Sequence, residues 1–216
     1  MHRAQVHIIQ IDEFPSREES AKLLKSLPSL LQFEIDRYKT PNDFYRSLLS
    51  KIMLKNVLTA SGLQNQFEKI QKNEFGKYFI PGNVDFSISH TADKVVVAIA
   101  ENVKIGVDVE LKAKGSLMLA ERFFCEEEVA WMKEQVNLQE AFSYVWTRKE
   151  ALVKAAGTGI RMPLKSFNVL SESIDFINQM YFLQSDLHKN TSDVLSLATS
   201  EKTEVEILAT NSLSVI

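Results

Sequence analysis

The chain has 216 residues, a length between the usual sizes of one and two domains. Its hydrophobic (45%) and charged (25%) fractions are typical of globular proteins and exclude fibrous or disordered chains. The 25 Lys and Arg residues and 28 Asp and Glu residues leave a net charge of −3, which gives no overall field to attract nucleic acid or anionic lipid. Any phosphate-binding site must therefore be local.

The sequence is expected to belong to a cytoplasmic protein. Its single cysteine, Cys125, cannot form an internal disulfide, which favours a reducing compartment. The N-terminal residues are interrupted by His7 and Asp12 and are too polar for a signal peptide. The longest apolar run, at residues 95–100, is far too short to span a membrane.

The first half of the chain contains one long predicted helix. Thr40 and Pro41 are typical of a helix start, and Gly62 is typical of a helix end. Before this helix, residues 5–11 have the pattern of a strand and residues 23–33 follow a helical pattern. After it, short strands are predicted at 67–71, 78–80 and 84–89.

Two strand-like runs near the middle of the chain predict a β-hairpin. VVVAIA at 95–100 and IGVDVE at 105–110 are separated by only four residues.

The second half repeats the order of strand, short helices, long helix and strands. Helices are predicted at 117–123, 126–135 and 139–156, and Gly157 is placed to end the last one. Further strands are predicted at 167–170, 179–183, 193–198 and 204–209. The chain is therefore expected to have two α/β halves.

Three carboxylates are candidates for a metal site. Asp108 and Glu110 are two positions apart on a predicted strand, so they point to the same face. The solvent side of an edge strand would explain this alternation equally well. Glu150 on the last long helix adds a third carboxylate, and a hard cation such as Mg²⁺ takes several oxygen ligands.

Other polar residues are ambiguous when taken singly. Glu150 and Lys154 are neighbours on one helix face, but an ordinary surface pair would look the same. Ser89 and His90 end a strand, where an isolated histidine is more often structural than a ligand. Glu128 occupies the capping-box position of a helix start.

The order of these motifs resembles the 4′-phosphopantetheinyl transferases of the larger, pseudo-dimeric type that activate acyl and peptidyl carrier proteins. The resemblance covers most of residues 75–167 and runs through FGKYFI, FSISHT, IGVDVE, RFFCEEE, WTRKEALVKAAGTGI and MPLKSF. Its most specific parts are the x-G-x-D-x-E and W-x-x-K-E-A-x-x-K patterns, about forty residues apart.

The resemblance implies an α+β fold of two similar α/β subdomains related by a pseudo-twofold, each a small antiparallel sheet packed on a long helix. Residues 1–104 would form the half facing the nucleotide of coenzyme A. Residues 105–216 would carry the metal-binding and catalytic acids, with the site at the interface.

The resemblance also implies roles for individual residues. The expected Mg²⁺ ligands are Asp108, Glu110 and Glu150. Glu150 is also a candidate for the base that takes the proton of the carrier serine, directly or through a metal-bound water, and Lys154 is expected to act at the pyrophosphate. Residues expected to contact coenzyme A are Arg46, Lys77, Ser89, His90, Lys149 and Lys154. The role of Glu128 is open between helix cap and catalytic base.

The sequence departs from the family pattern at two places. Cys125 stands where a Ser or Thr is usual. The family often has lysines upstream of Arg46, whereas residues 31–36 are apolar and acidic; Arg37 and Lys39 are candidates to replace them.

The expected activity is transfer of 4′-phosphopantetheine from coenzyme A to a serine of an apo carrier protein, with Mg²⁺ or alternatively Mn²⁺, releasing 3′,5′-ADP. The carrier could belong to fatty acid, polyketide or nonribosomal peptide biosynthesis, and residues 111–125 are either a docking edge for it or an ordinary packed helix. A monomer without nucleic-acid or membrane partners is expected. The alternatives are a non-catalytic protein of the same fold that binds coenzyme A or a carrier, and a small metal-dependent hydrolase.

Overall fold

The computed structural model describes residues 2–112, 115–159, 162–185 and 192–211, except for the side chains of 210 and 211. Within these ranges the strands are β1 (His2–Gln10), β2 (Gln71–Lys72), β3 (Tyr78–Phe79), β4 (Val84–His90), β5 (Lys94–Glu101), β6 (Ile105–Leu111), β7 (Ser173–Phe176), β8 (Gln179–Ser185), β9 (Asp193–Thr199) and β10 (Thr203–Asn211). The helices are α1 (Arg17–Lys25), α2 (Ser29–Asp36), α3 (Pro41–Ala60), α4 (Gln64–Phe67), α5 (Leu117–Phe123), α6 (Glu126–Lys133) and α7 (Leu138–Ala156).

The two predicted long helices are confirmed, and their ends have the expected caps. At the start of α3, the Thr40 hydroxyl accepts a hydrogen bond from the backbone N–H of Asp43 at 3.2 Å. At the end of α7, Gly157 adopts the left-handed conformation with φ of 72°. Both helices therefore begin and end within about two residues of the predicted positions.

The first sheet has the strand order β10-β1-β5-β4 and packs against α3. The pairs β1–β5 and β5–β4 are antiparallel, but β1 and β10 are parallel. The sheet is therefore mixed rather than antiparallel, and the predicted boundary at residue 104 does not separate the two sheets. The pattern of residues 204–209 predicts a strand, but it carries no information about which sheet that strand joins.

The second sheet has the order β6-β9-β8-β7, is antiparallel throughout, and packs against α7. Helix and strand approach most closely at Gly106, where an added Cβ would lie 2.0 Å from the carbonyl oxygen of Ala151. The glycine of the predicted G-x-D-x-E motif is therefore required by packing. Residues 167–170, predicted as a strand, instead follow a short 3-10 turn (Leu164–Ser166), and β7 lies a few residues further on.

The predicted hairpin is wrong, because β5 and β6 lie in different sheets. The two sheets pack on each other: Val96 and Ala98 of β5 share a core with Val107 of β6 and Leu197 of β9. Alternate β5 residues, such as Val97, face α3. A strand buried on both faces explains the uninterrupted apolar run VVVAIA, so hydrophobicity alone could not distinguish it from a hairpin strand.

The described helices and strands thus form four layers, α3, first sheet, second sheet and α7. This is an α+β arrangement in which each long helix covers one sheet. The pseudo-twofold relation between the halves remains a prediction. No helix in the described ranges is long and apolar enough to cross a membrane.

Side chains of β4 connect the two sheets at their edges. The backbone N–H groups of Ile105, Val107 and Val109 each donate to a side chain of β4. The acceptors are Asp85 Oδ2 at 2.9 Å, Ser87 Oγ at 3.0 Å and Ser89 Oγ at 3.3 Å, respectively. The side chains of alternate β4 residues therefore supply the hydrogen-bond acceptors that the backbone of a neighbouring strand would otherwise supply. These bonds fix the position of β6 and its acids relative to the first half of the chain.

Candidate active site

A cleft of about 300 Å³ lies between α3, the β3–β4 region and α7. Its lining includes Lys51, Lys77, His90, Glu150 and Lys154, which come from both halves of the chain. A larger depression of about 780 Å³ beside β1 and β10 contains none of the predicted site residues. The cleft is therefore the candidate site.

Asp108 is the most buried of the predicted metal ligands, with 5% of its surface exposed. Its Oδ1 accepts hydrogen bonds from Ser89 Oγ and Lys154 Nζ, both at 2.7 Å. Its Oδ2 is also buried and has no hydrogen-bond partner among the described residues. A buried carboxylate oxygen without a partner is costly, and a bound cation would satisfy it.

Glu150 faces Asp108 from α7. Burial raises the pKa of Glu150, and the negative charges of Asp108 and Glu110 raise it further, whereas Lys154 opposes them. Glu110 follows Asp108 on the same face of β6. The structure thus brings the three predicted acids close enough to repel one another.

These acids fit the chemistry of a hard cation but do not form a complete site by themselves. Within the described residues, no group of three or more His, Cys, Asp or Glu side chains is arranged to hold a metal ion. The unpartnered Asp108 Oδ2 and the raised pKa of Glu150 would both be relieved by a divalent ion. Mg²⁺ typically combines one or two carboxylates with substrate phosphates, so an incomplete protein site is compatible with it.

Positive groups also lie in and beside the cleft. Burial lowers the pKa of His90, and so do the positive charges of Lys51, Lys154 and Arg46, although His90 remains accessible to solvent. Arg46 reaches the carbonyl of Ala92 at 3.4 Å and Asp43 Oδ1 at 3.3 Å. These side chains form a local basic region of the kind that binds phosphates.

Lys77 lines the cleft but is held by the protein. Its Nζ lies 2.9 Å from Asp85 Oδ2 and donates to the Ile105 carbonyl at 3.4 Å. The adjoining turn is joined to the second half, because Asn73 Nδ2 donates to the Gly157 carbonyl at 3.0 Å. Lys77 therefore also helps to hold β4 beside β6.

Lys149 and Glu128 are not brought to the cleft. Both side chains are completely buried and pair with each other at 2.8 Å. Lys149 also donates to the carbonyls of Leu164 and Phe167, while Glu128 accepts from the backbone N–H of Val169. This placement does not fit the predicted contact of Lys149 with coenzyme A or a role of Glu128 as base.

A helical signal for the burial of Lys149 was present in the sequence. Lys149 follows Val145 by four residues and precedes Leu152 by three, so it lies on the apolar face of α7. Glu150 is the next residue and points about 100° away around the helix, toward the cleft. The capping role predicted as one alternative for Glu128 is present, since its Oε2 accepts from the Cys125 N–H at 3.1 Å.

The sequence did not single out Lys51, although it lies in the cleft five residues after Arg46. Its Nζ lies 5.1 Å from the centre of the Tyr78 ring and 3.3 Å from Ser50 Oγ. Burial, followed by the charge of Lys72, lowers the pKa of Lys51 to about 8. Lysines on a long helix are usually solvated, so the pattern alone gave no reason to select it.

Acids on β6 and α7, with several cations across the same cleft, are typical of enzymes that act on phosphate compounds with a divalent ion. The sequence model described as the 4′-phosphopantetheinyl transferase superfamily matches residues 104–205. The 4′-phosphopantetheinyl transferase ffp of Bacillus subtilis is 30% identical over 170 residues, which cover 76% of this chain and 75% of ffp. The chain belongs to the 4′-phosphopantetheinyl transferase family.

Two further similarities are partial. The 4′-phosphopantetheinyl transferase gsp of Aneurinibacillus migulanus is 35% identical over 134 residues, which cover 61% of this chain and only 56% of gsp. The crystal structure of the holo-[acyl-carrier-protein] synthase of Thermotoga maritima matches with a TM-score of 0.36 and 16% identity, over 44% of this chain and 61% of that chain. A structural similarity of this size carries no conclusion about the fold.

Proposed function

We propose that this transferase moves the 4′-phosphopantetheine group of coenzyme A to a serine of an apo acyl or peptidyl carrier protein in the cleft between α3 and α7. Mg²⁺ is the proposed ion, with Mn²⁺ as a substitute, and 3′,5′-ADP is the proposed second product. The observation that carries the proposal is the buried, unpartnered Oδ2 of Asp108, because this carboxylate lies beside Glu150 and Lys154, which line the cleft together with Lys51, Lys77 and His90.

Asp108, Glu110 and Glu150 would hold the ion, which supplies positive charge to a pyrophosphate as it is split. Ser89 orients Asp108 through the 2.7 Å hydrogen bond to Oδ1. Lys154 places its ammonium on the same carboxylate, at the point where a pyrophosphate would approach the acids. A fixed positive charge there stabilises the charge that develops on the leaving group.

The transfer needs one bond to form and one to break. The carrier serine Oγ bonds to the phosphorus that bears pantetheine, and the bridging P–O bond of the pyrophosphate breaks. The electron pair of that bond leaves with 3′,5′-ADP, and the serine proton passes to Glu150. We assign Glu150 as the base because it lies in the cleft, whereas Glu128 is enclosed by Lys149 and the Val169 N–H.

The direct test uses purified chain, coenzyme A, Mg²⁺ and a panel of apo carrier proteins followed by intact-mass spectrometry. We expect a phosphopantetheine adduct on the carrier serine, and a chelator should prevent it. The panel would also identify the carrier class. If coenzyme A binds but no carrier is modified, the alternative of a non-catalytic binding protein is supported instead.

Glu150→Gln should reduce transfer by about a hundredfold or more, the usual contribution of general acid–base catalysis. The matched control is Glu140→Gln, which makes the same change on the same helix but affects a residue paired with Lys112 at 2.8 Å. Initial rates of adduct formation and thermal unfolding would be measured for both variants. Near-normal turnover of Glu150→Gln would remove this residue from the proposed chemistry.

We further propose that the protein is a cytoplasmic monomer whose halves are related by a pseudo-twofold. The two sheets pack on each other through a shared core, the first sheet includes β10 from the second half, and side chains of β4 bind the edge of β6. Residues 111–125 remain the proposed docking edge for the carrier, except that 113 and 114 lie outside the described residues. Met118 and Leu119 on α5 are exposed there, beside Glu110, and could contact an apolar carrier surface.

A further inference from the structure

Lys51 is a cation of the cleft to which the mechanism above gives no role. Its ammonium lies over the ring of Tyr78, and the Nζ of Lys72 lies at the same distance, 5.1 Å, from the same ring centre. The acid whose charge reaches Lys51 is Glu34, and that carboxylate pairs with Lys72 at 2.9 Å. Two ammonium groups therefore share one carboxylate, which leaves a local positive charge.

The position of Lys51 separates it from the acids of the site. Its charged neighbours are Lys72 and Glu34, whereas those of Glu150 are Asp108, Lys154 and Glu110. The positive charges of Lys51 and Lys154 both lower the pKa of His90. We call the part of the cleft at Glu150 and Lys154, next to Asp108, its acidic end, and the part at Lys51 its basic end.

Coenzyme A carries phosphate groups at two places, a pyrophosphate and a monoester on the 3′ position of the ribose. Under the proposed function, the pyrophosphate lies at the acidic end beside Asp108 and Lys154. Resting on that function, we propose that Lys51 binds the 3′-phosphate of coenzyme A at the basic end, next to His90. A dianionic phosphate would balance the local positive charge and accept a hydrogen bond from the ammonium.

Lys51 would supply the positive charge that residues 31–36 lack, because this segment is apolar and acidic where the family often has lysines. Residues 31–36 form most of the apolar and acidic helix α2. Of the two replacements expected from the sequence, Arg37 lies 5.6 Å over the exposed ring of Phe33, and Lys39 is exposed. Neither lines the cleft, whereas Lys51 does.

The test compares coenzyme A with 3′-dephospho-coenzyme A, which lacks only the monoester. Calorimetry in Mg²⁺ would measure both affinities for the wild-type protein, Lys51→Gln and Lys55→Gln. Lys55 is the matched control, since it lies one turn further along α3 and donates to the Ser26 carbonyl at 3.0 Å, outside the cleft. Lys51→Met is measured in parallel so that the result does not depend on the folding of one variant.

We expect Lys51→Gln to weaken coenzyme A binding by about tenfold or more, the usual effect of a lost hydrogen bond to a charged group. Binding of dephospho-coenzyme A should stay unchanged, and Lys55→Gln should alter neither affinity. Equal weakening of both ligands, or unchanged binding of coenzyme A, would overturn the assignment of Lys51. Failure of the wild-type protein to bind either ligand would instead contradict the proposed function.

Thermal unfolding separates this effect from damage to the fold. Because burial lowers the pKa of Lys51 to about 8, its ammonium is charged and partly desolvated at pH 7, and this lowers the stability of the free protein. Replacing it with an uncharged side chain should therefore raise the unfolding temperature while weakening coenzyme A binding. A lower unfolding temperature together with equal weakening of both ligands would mean that Lys51 supports the fold rather than the ligand.

Discussion

The hydroxyl of Ser89 shows how one residue can link the fold to the site. It donates to Asp108 Oδ1 at 2.7 Å and accepts from the Val109 N–H at 3.3 Å. The sequence resemblance implied contact of Ser89 with coenzyme A phosphates, which stays a prediction, and the structure shows that its hydroxyl also bonds to two protein groups. A sequence motif therefore indicates which residue type is required at a position, but not which groups that side chain contacts.

Ser89→Ala should lower both stability and activity. The Val109 N–H would lose its acceptor in a buried position, at a cost of about 1–3 kcal/mol, and Asp108 would lose a donor. Ser87→Ala is the matched control, because Ser87 makes the same kind of bond to the Val107 N–H but none of its described bonds reaches Asp108. Denaturant unfolding should show a lower free energy of unfolding for both variants. Only Ser89→Ala should change the Mg²⁺ concentration needed for half-maximal transfer, and equal Mg²⁺ dependence would leave Ser89 a purely structural role.

At the scale of elements, local signals predicted the long helices well. Thr40, Pro41 and Gly157 act within one helical turn, so their effect does not depend on distant parts of the chain. The predicted hairpin failed because its strands belong to separate sheets. Strand pairing is decided by which surfaces can be buried together, and the strand-like runs at 95–100 and 105–110 fit either arrangement.

The buried Glu128–Lys149 pair fastens α6 and α7 to the 3-10 turn and to the segment that follows it. Lys149→Met should destabilise the protein by about 3–5 kcal/mol, because Glu128 would remain as an unpaired buried charge. The double variant Glu128→Gln/Lys149→Met should recover part of this loss. Denaturant unfolding of both variants would measure the effect, and the affinity of the folded fraction for coenzyme A should be unchanged. A selective loss of that affinity would restore Lys149 to the binding site.

For the whole molecule, the crossing of the chain between sheets makes the two halves interdependent. Strand β10 completes the first sheet beside β1, while Asp85, Ser87 and Ser89 of the first half bind the edge of β6. The cleft is lined by Lys51 of α3 and by Glu150 and Lys154 of α7, and Lys154 bonds to Asp108 of β6. A site of this kind exists only when both halves are folded together.

Fragments 1–104 and 105–216 should therefore not fold alone. The first would lack β10, and the second would expose the edge and the apolar face of β6. Circular dichroism and thermal scans of each fragment would test this, with the full chain as control. Cooperative unfolding of fragment 1–104 by itself would show that β10 contributes little to the first sheet.

The sequence by itself determined the family and the long helices, and it predicted most candidate site residues, because these depend on short motifs and on side-chain chemistry within a few turns of helix or strand. Only the tertiary structure decided that β10 joins the first sheet, that Lys149 pairs with Glu128, and that Lys51 and His90 line one cleft. Each of these depends on contacts between residues far apart in the chain. Packing of the four layers determines which of several locally equivalent arrangements buries the most apolar surface with its polar groups satisfied.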